Sequence, residues 1–326
     1  MKQDAIDFVI TWVDGNDPAW QQDKQKYTAV NADVRVNRYR DWDQLQYWFR
    51  AVEKYAPWVN KIHFVTWGHV PGWLDTTNPK LNIVKHSDFI PAEYLPVFSS
   101  NAIEVHLHRI PGLSPQFVYF CDDFYLMQPC KPTDFFKNGK PVDMAELIPI
   151  QPHHGEMYYY HQYNDYSLYR QYVTTKLLIK NIFKYVNLRY GSIAFSNLLH
   201  IAAHNICFAS RHVCIPLLKN TMERMWEAHP EQLRKTAQSR FRQITDQSPD
   251  LFRGYQFVTG NFTPRKISSL VVPSERPEDV KRCIEGGRHK FFCLSDVSSE
   301  QMFEEHKDAI NASFEKVFPE RCSFER

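Results

Sequence analysis

Net charge, long apolar runs and regularly spaced cysteines are all scarce in this chain, and each scarcity removes a class of function. Its 39 Lys and Arg stand against 37 Asp and Glu, a formal +2. That balance is too even to hold a polyanion over the whole surface, so no nucleic-acid partner is expected, though a local basic face is compatible with it. Nowhere do about 18 apolar residues run together, so no transmembrane helix is expected. Residues 1–20 carry Asp4, Asp7, Asp14 and Asp17 instead of a basic start and an apolar core, which argues against a signal peptide. The seven cysteines are odd in number and lack CxxC spacing, a usage that fits a reducing compartment better than a disulfide framework. The expected location is cytoplasmic, with peripheral association at the inner face of the membrane through a partner. No repeat, low-complexity tract or Pro/Gly-rich linker marks a domain boundary.

The 326 residues, 43% of them hydrophobic and 15% aromatic, can bury a substantial core in one large domain or two modest ones. Ile6–Trp12 reads as a buried strand ended by the turn Val13-Asp-Gly-Asn-Asp-Pro18. Leu45, Trp48, Phe49 and Val52 recur at helical spacing before Pro57. Lys61–Trp67 and Leu81–Val84 are further strands, and this alternation predicts an α/β protein with a mainly parallel sheet. Asn101 followed by Glu104 has the spacing of a capping box, predicting a helix through Arg109. The run Phe117–Leu126 carries Asp122 and Asp123 where a strand ends, and ligands of open α/β sheets collect beyond such ends. Paired carboxylates there suit Mg²⁺ or Mn²⁺ and a phosphate-bearing substrate such as a nucleotide sugar. The plain alternative is an Asp-Asp turn that caps the next element.

After about residue 150 a Tyr- and His-rich loop, with His153-His154 and Tyr158–His161, leads to helical patterns near 167–189, 193–205 and 215–239. Lys290–Leu294 is a last strand, followed by Ser295-Asp296 and a helix from about Glu300 to Val317. This divides the chain into an α/β core (1–150), a helical insertion or acceptor subdomain (151–260) and a return to the core (261–326).

Ile6-Asp-Phe-Val-Ile-Thr-Trp-Val-Asp-Gly15 with Asp17-Pro18 resembles the first conserved region of the Stealth family. That family includes bacterial capsular polysaccharide hexose-1-phosphate transferases and an animal N-acetylglucosamine-1-phosphotransferase. The second region is matched by Arg38-Tyr-Arg-Asp41, Phe64–Trp67, Ser100–Glu104 and Phe120–Phe124. A third is matched by His212–Pro216 and Ser239–Arg242 with Asp246, and a fourth by Cys293–Val297. Cys121 and Ser295 stand where the family commonly has Asn, and a thiol cannot donate and accept as an amide does.

The resemblance implies a Rossmann-like (GT-A-like) nucleotide-sugar domain with a helical insertion. It also implies transfer of a sugar-1-phosphate from a UDP-sugar to a polysaccharide hydroxyl, with UMP released. In that chemistry Asp122, Asp123 and Asp296 would hold Mg²⁺ or Mn²⁺. Arg242 and Arg240 would fork onto phosphate oxygens, and His212, or else Asp123, would take the proton of the attacking hydroxyl. Asp14 and Gly15 would approach the nucleotide, Asn101 and Glu104 the donor sugar or phosphate, and Trp12 or Trp67 could stack on uracil or sugar. Each has a plainer reading. Arg240 and Arg242 could pair with Asp246 or Asp250, Arg38 with Asp41, and the tryptophans could be core. A zinc site from Cys207, Cys214 and the nearby histidines fits no usual spacing. Two rival functions remain: a conventional glycosyltransferase releasing UDP, and a non-catalytic carbohydrate-binding protein.

Overall fold

Strand β1 (Ile6–Thr11) is mostly apolar and covered on both faces, and it forms the middle of a five-stranded sheet in the computed structural model. The structure describes residues 5–30, 32–150, 157–297 and 299–326; His153 and His154 lie outside them. β1 pairs in parallel with β2 (Ile62–Thr66) on one side and β4 (Gln116–Phe120) on the other, and β3 (Leu81–Lys85) extends the sheet beyond β2. The strand Ile215–Leu218 closes the β4 edge antiparallel, with Ile215 opposite Tyr119. The expected mainly parallel α/β architecture is thus present.

Alternate side chains feed two cores. Phe8 and Ile10 join Trp48, Phe49 and Val52 of helix α2 (Leu45–Tyr55) on one face. On the other, Val9, Val65 and Tyr119 pack with Leu107, Met222, Met225 and Phe252. Each such side chain, fully removed from water, stabilises the fold by about 1.5–3 kcal/mol.

β4 stops at Phe120. The Phe124 amide donates to the Cys121 carbonyl (3.2 Å), the chain turns at Asp122-Asp123, and β5 (Phe124–Leu126) leaves for a second sheet. There it lies antiparallel to Phe291–Ser295, which pairs in parallel with Ser269–Pro273. The paired aspartates therefore sit at the junction of two sheets rather than at the end of one long strand.

Three expectations are corrected. Residues 215–218 form an edge strand, not the start of a helix, and the edge tolerates Pro216, which has no amide to give; the helices Lys219–Ala228 and Pro230–Ala237 follow. Tyr158–His161 belongs to the helix Met157–Tyr169, not to a loop. Finally, helix α3 (Ser100–Glu104) is capped at Ser99, without a side-chain capping bond, and spans five residues. Asn101 is inside it, so the capping box does not form, and a helix this short offers no N-terminal anion site.

Candidate active site

A cleft of about 360 Å³ opens beyond the carboxyl ends of β1 and β4, within the ~300–1,000 Å³ usual for small-molecule sites. Its walls come from separate elements. β1 contributes Thr11 and, just past its end, Trp12; the β4–β5 turn gives Asp122 and Asp123, α3 Ser100 and Glu104, and the residue stretches beside the second sheet and the helices add His212, Asp296, Arg38 and Arg242. A smaller cleft of about 120 Å³ shares Trp12, Arg38, Asp122, Asp123 and Asp296, so the acidic residues form the wall between the two.

One end of the cleft is crowded with carboxyl groups. Burial raises the pKa of Asp122 well above the ordinary range, and the nearby charges of Asp123, Asp41 and Asp296 push it further. Asp123 is raised chiefly by burial, against the opposing pull of His212, and Asp296 is raised by burial as well. Asp123 Oδ1 is buried with no hydrogen-bond partner, while its Oδ2 lies 3.4 Å from the Cys293 thiol. His212 Nδ1 is 3.1 Å from Cys293 Sγ and 3.9 Å from Asp123 Oδ2, and its ring stands edge-on to Phe124 at 4.9 Å. Asp296 Oδ1 accepts from Arg40 Nη2 (2.8 Å), Trp42 Nε1 (2.9 Å) and the Val297 amide (2.7 Å). An unpartnered buried carboxylate oxygen among mutually repelling carboxylates is what a hard divalent cation relieves, so the donor chemistry fits Mg²⁺ or Mn²⁺. Asp123, His212 and Cys293, whose ligand atoms lie within 4.8 Å of one another, form a second, softer set.

The other end is basic. Arg38 Nε donates to Asp33 Oδ2 (3.2 Å). Burial depresses the Arg38 pKa, and the neighbouring Arg242 adds to the effect, so two guanidinium groups share this end with one carboxylate between Arg35 and Arg38. Arg242 Nη2 donates to Ser100 Oγ (2.5 Å). Glu104, raised by burial, accepts from the Tyr119 hydroxyl at 2.6 Å. Two guanidinium groups left partly free in a cleft are suited to bind phosphate oxygens in bidentate fashion.

Of the residues singled out in the sequence, Trp12, Arg38, Glu104, Asp122, Asp123, His212, Arg242 and Asp296 converge on this cleft. Asp14, Gly15, Asn101 and Arg240 lie outside its lining. The Asp14 amide donates to His69 Nε2 (2.8 Å). Gly15 is needed because a Cβ there would collide with the Tyr39 carbonyl, so the close approach is to the chain itself. Asn101 is buried against His161 (3.3 Å), and Arg240 lies over the Tyr27 ring (4.7 Å). Arg38 pairs with Asp33 rather than Asp41, whose carboxylate takes the Trp12 indole (2.9 Å) and the Asp43 amide (2.7 Å). Cys207 and Cys214 are buried in the core, and His212 turns to Cys293 instead. Arg40, Trp42 and Cys293 were not anticipated as site residues. Arg40 lies inside the Arg38–Asp41 motif and Cys293 opens the Cys293–Val297 motif, so a signal for each existed.

A charged cleft at the carboxyl edge of a parallel sheet defines this protein as an α/β enzyme. Conserved regions 1, 2 and 3 of the Stealth proteins match residues 4–29, 38–143 and 211–250. The chain is 39% identical to a capsular polysaccharide phosphotransferase WcwK of Streptococcus pneumoniae, over 98% of this chain and 99% of that one. It is 38% identical, at the same coverage, to the receptor polysaccharide phosphotransferase WefC of Streptococcus oralis. The exopolysaccharide phosphotransferase cps2G of Lactiplantibacillus plantarum is 34% identical over 98% of this chain and 96% of its own. The chain belongs to the Stealth family.

Proposed function

We propose that the chain transfers a sugar-1-phosphate from a UDP-sugar to a hydroxyl of a polysaccharide acceptor, forming a phosphodiester and releasing UMP, in capsular or cell-surface polysaccharide synthesis. Its relatives carry phosphotransfer in their names. The observation that carries the reading is a single cleft lined both by the carboxylates of Asp122 and Asp123 and by the guanidinium groups of Arg38 and Arg242. That combination complements a metal-bound diphosphate.

In this reading Asp122, Asp123 and Asp296 would hold Mg²⁺ or Mn²⁺, which would supply positive charge to offset that of the diphosphate. Arg38 and Arg242 bind phosphate oxygens, and the anion relieves the repulsion between them. His212, half exposed beside the cleft, accepts the proton of the acceptor hydroxyl. The acceptor oxygen bonds to the phosphorus bearing the sugar, the bond from that phosphorus to the UMP oxygen breaks, and the proton ends on His212. Phosphoryl transfer of this kind depends on positioning and charge neutralisation. Trp12 supplies an apolar wall for the base or sugar, and Glu104 a hydrogen-bond partner for a donor hydroxyl.

Nucleotide release tests this directly. Purified protein with Mg²⁺ or Mn²⁺, a panel of UDP-hexoses and UDP-N-acetylhexosamines, and acceptor fragments should yield UMP only when the acceptor is present. UDP in its place would establish the glycosyltransferase alternative, and glycan binding with neither nucleotide released under any donor would leave a carbohydrate-binding protein.

A further inference from the structure

The helical pair Thr175–Tyr185 and Ser192–Ala202 reverses the usual patterning of surface helices. Polar side chains face inward. Asn197 Nδ2 donates to the carbonyls of Ala145 (2.7 Å) and Tyr185 (2.8 Å), its Oδ1 accepts from the Leu147 amide (2.8 Å), and the Tyr185 hydroxyl donates to the Phe257 carbonyl (2.8 Å). Large apolar side chains face outward: Ile179, Phe183, Leu188, Phe195, Leu198 and Leu199, from 45% exposed at Leu198 to 93% at Leu188. Ile179 and Phe183 are one helical turn apart, as are Phe195 and Leu199, so each helix presents its own apolar strip. Exposed apolar residues are ordinary one at a time; a cluster on one rigidly anchored hairpin marks an interaction surface.

The charge around this face selects the occupant. Between Asp165 and Glu223 the sequence has no Asp or Glu, and every formal charge is basic. Lys176, Lys180 and Arg189 form no ion pair among the described residues. A second copy would bring the same basic rim against itself, so self-association is disfavoured. A surface that is apolar at its centre and anionic at its margins is a lipid bilayer with acidic headgroups. We propose that this hairpin docks the protein on such a bilayer, with the apolar side chains at the headgroup–acyl boundary and Lys176, Lys180 and Arg189 against lipid phosphates. The helices lie in the interface plane, since no helix among the described residues is long and apolar enough to cross a membrane. The proposal does not depend on the chemistry assigned to the cleft.

The test is co-sedimentation of the full chain with phosphatidylcholine vesicles, with and without phosphatidylglycerol. Wild-type protein should sediment with the anionic vesicles and be released by salt. The variant F183S/L188S/F195S should bind at least about tenfold more weakly, and K176Q/K180Q severalfold more weakly with less salt dependence. Both should keep the wild-type unfolding midpoint. Three results would overturn the proposal: no sedimentation of the wild type with either vesicle, unchanged binding by both variants, or a wild-type dimer in light scattering that F183S/L188S/F195S makes monomeric.

Discussion

Arg253 joins the core to the candidate active-site cleft, and replacing it should cost both stability and turnover. Its side chain is 2% exposed and forms two parallel bonds, Nε to Asp143 Oδ2 and Nη2 to Asp143 Oδ1, both 2.7 Å, with Asp143 1% exposed. Nη1 also donates to the carbonyl of Arg211, the residue before His212. Arg253→Met leaves the Asp143 carboxylate buried without a cation, which costs about 3–5 kcal/mol. At about 2–4 °C per kcal/mol the unfolding midpoint should fall by roughly 6–20 °C. Substituting both partners, Asp143→Leu with Arg253→Met, removes the stranded charge and should recover most of that loss, because the two sites are coupled. Thermal unfolding of the wild type, both single variants and the double variant closes the cycle. A single-variant loss under about 1 kcal/mol, or a double variant as costly as the sum of the singles, would refute the reasoning. Turnover of the double variant should still be lower than wild type, since the Arg211 carbonyl has lost its donor and the segment carrying His212 is less firmly held.

Asp123→Asn and Arg242→Ala should each lower the rate of nucleotide release by about 10²–10³-fold or more while leaving the unfolding midpoint within a few degrees of wild type; near-normal rates in both would show that the active site lies elsewhere. Chelation with EDTA should abolish turnover, and Mg²⁺ or Mn²⁺ should restore it in wild type and in Cys293→Ser alike, within about twofold, if hard oxygen ligands hold the ion. A Cys293→Ser variant that loses turnover while keeping its fold would point instead to the Asp123–His212–Cys293 set. His108 is buried, and burial first, then Arg109, depresses its pKa to about 3. A base depressed in the folded state leaves stability full above its unfolded value of about 6.5 and removes it as the pH falls toward 3. Wild type should therefore lose about 1.4 kcal/mol per pH unit below 6.5 relative to His108→Phe, read from urea midpoints at a series of pH values; parallel curves for the two proteins would mean that His108 is charged in the fold.

The first sheet was legible because β1, β2 and β4 are mostly apolar runs buried on both faces, and Asp7 and His63 within them are buried and paired with each other. The last helix was equally legible, and its observed span, Glu300–Val317, coincides with the one expected from periodicity. The turn at Asp122-Asp123 stood only as the alternative to a strand end, since residues on both sides favour strands, and only the pairing of β5 with Phe291–Ser295 separates them. Helix Met157–Tyr169 is rich in tyrosine, a poor local helix signal. It is held by partners distant in sequence, through His161 to the Gln243 carbonyl (2.8 Å) and Asp165 to Ser248 (2.9 Å). By contrast, helix Pro277–Gly286 carries Pro at its first turn and a left-handed Gly287 at its end, a local start signal and a local stop signal that went unread.

The candidate site divides along the same line. Asp122 and Asp123 could be placed from the strand that precedes them, because their position depends on local chain direction. The bond from Arg40 to Asp296 joins residues 256 positions apart, and Arg242 reaches Ser100 across 142. No periodicity in either segment encodes those meetings. They follow from two sheets diverging at one turn, which brings the loop after β1, the last strand and the helical segments to the same edge. Asn101 and Arg240 show the converse: both stand in segments that do reach the cleft, but the register of a five-residue helix and of the stretch before Arg242 turns them to His161 and Tyr27. Which segments meet is therefore a property of topology, whereas which side chain in each segment faces the cleft depends on local register, and an error of one or two residues exchanges a cleft-lining side chain for a structural one.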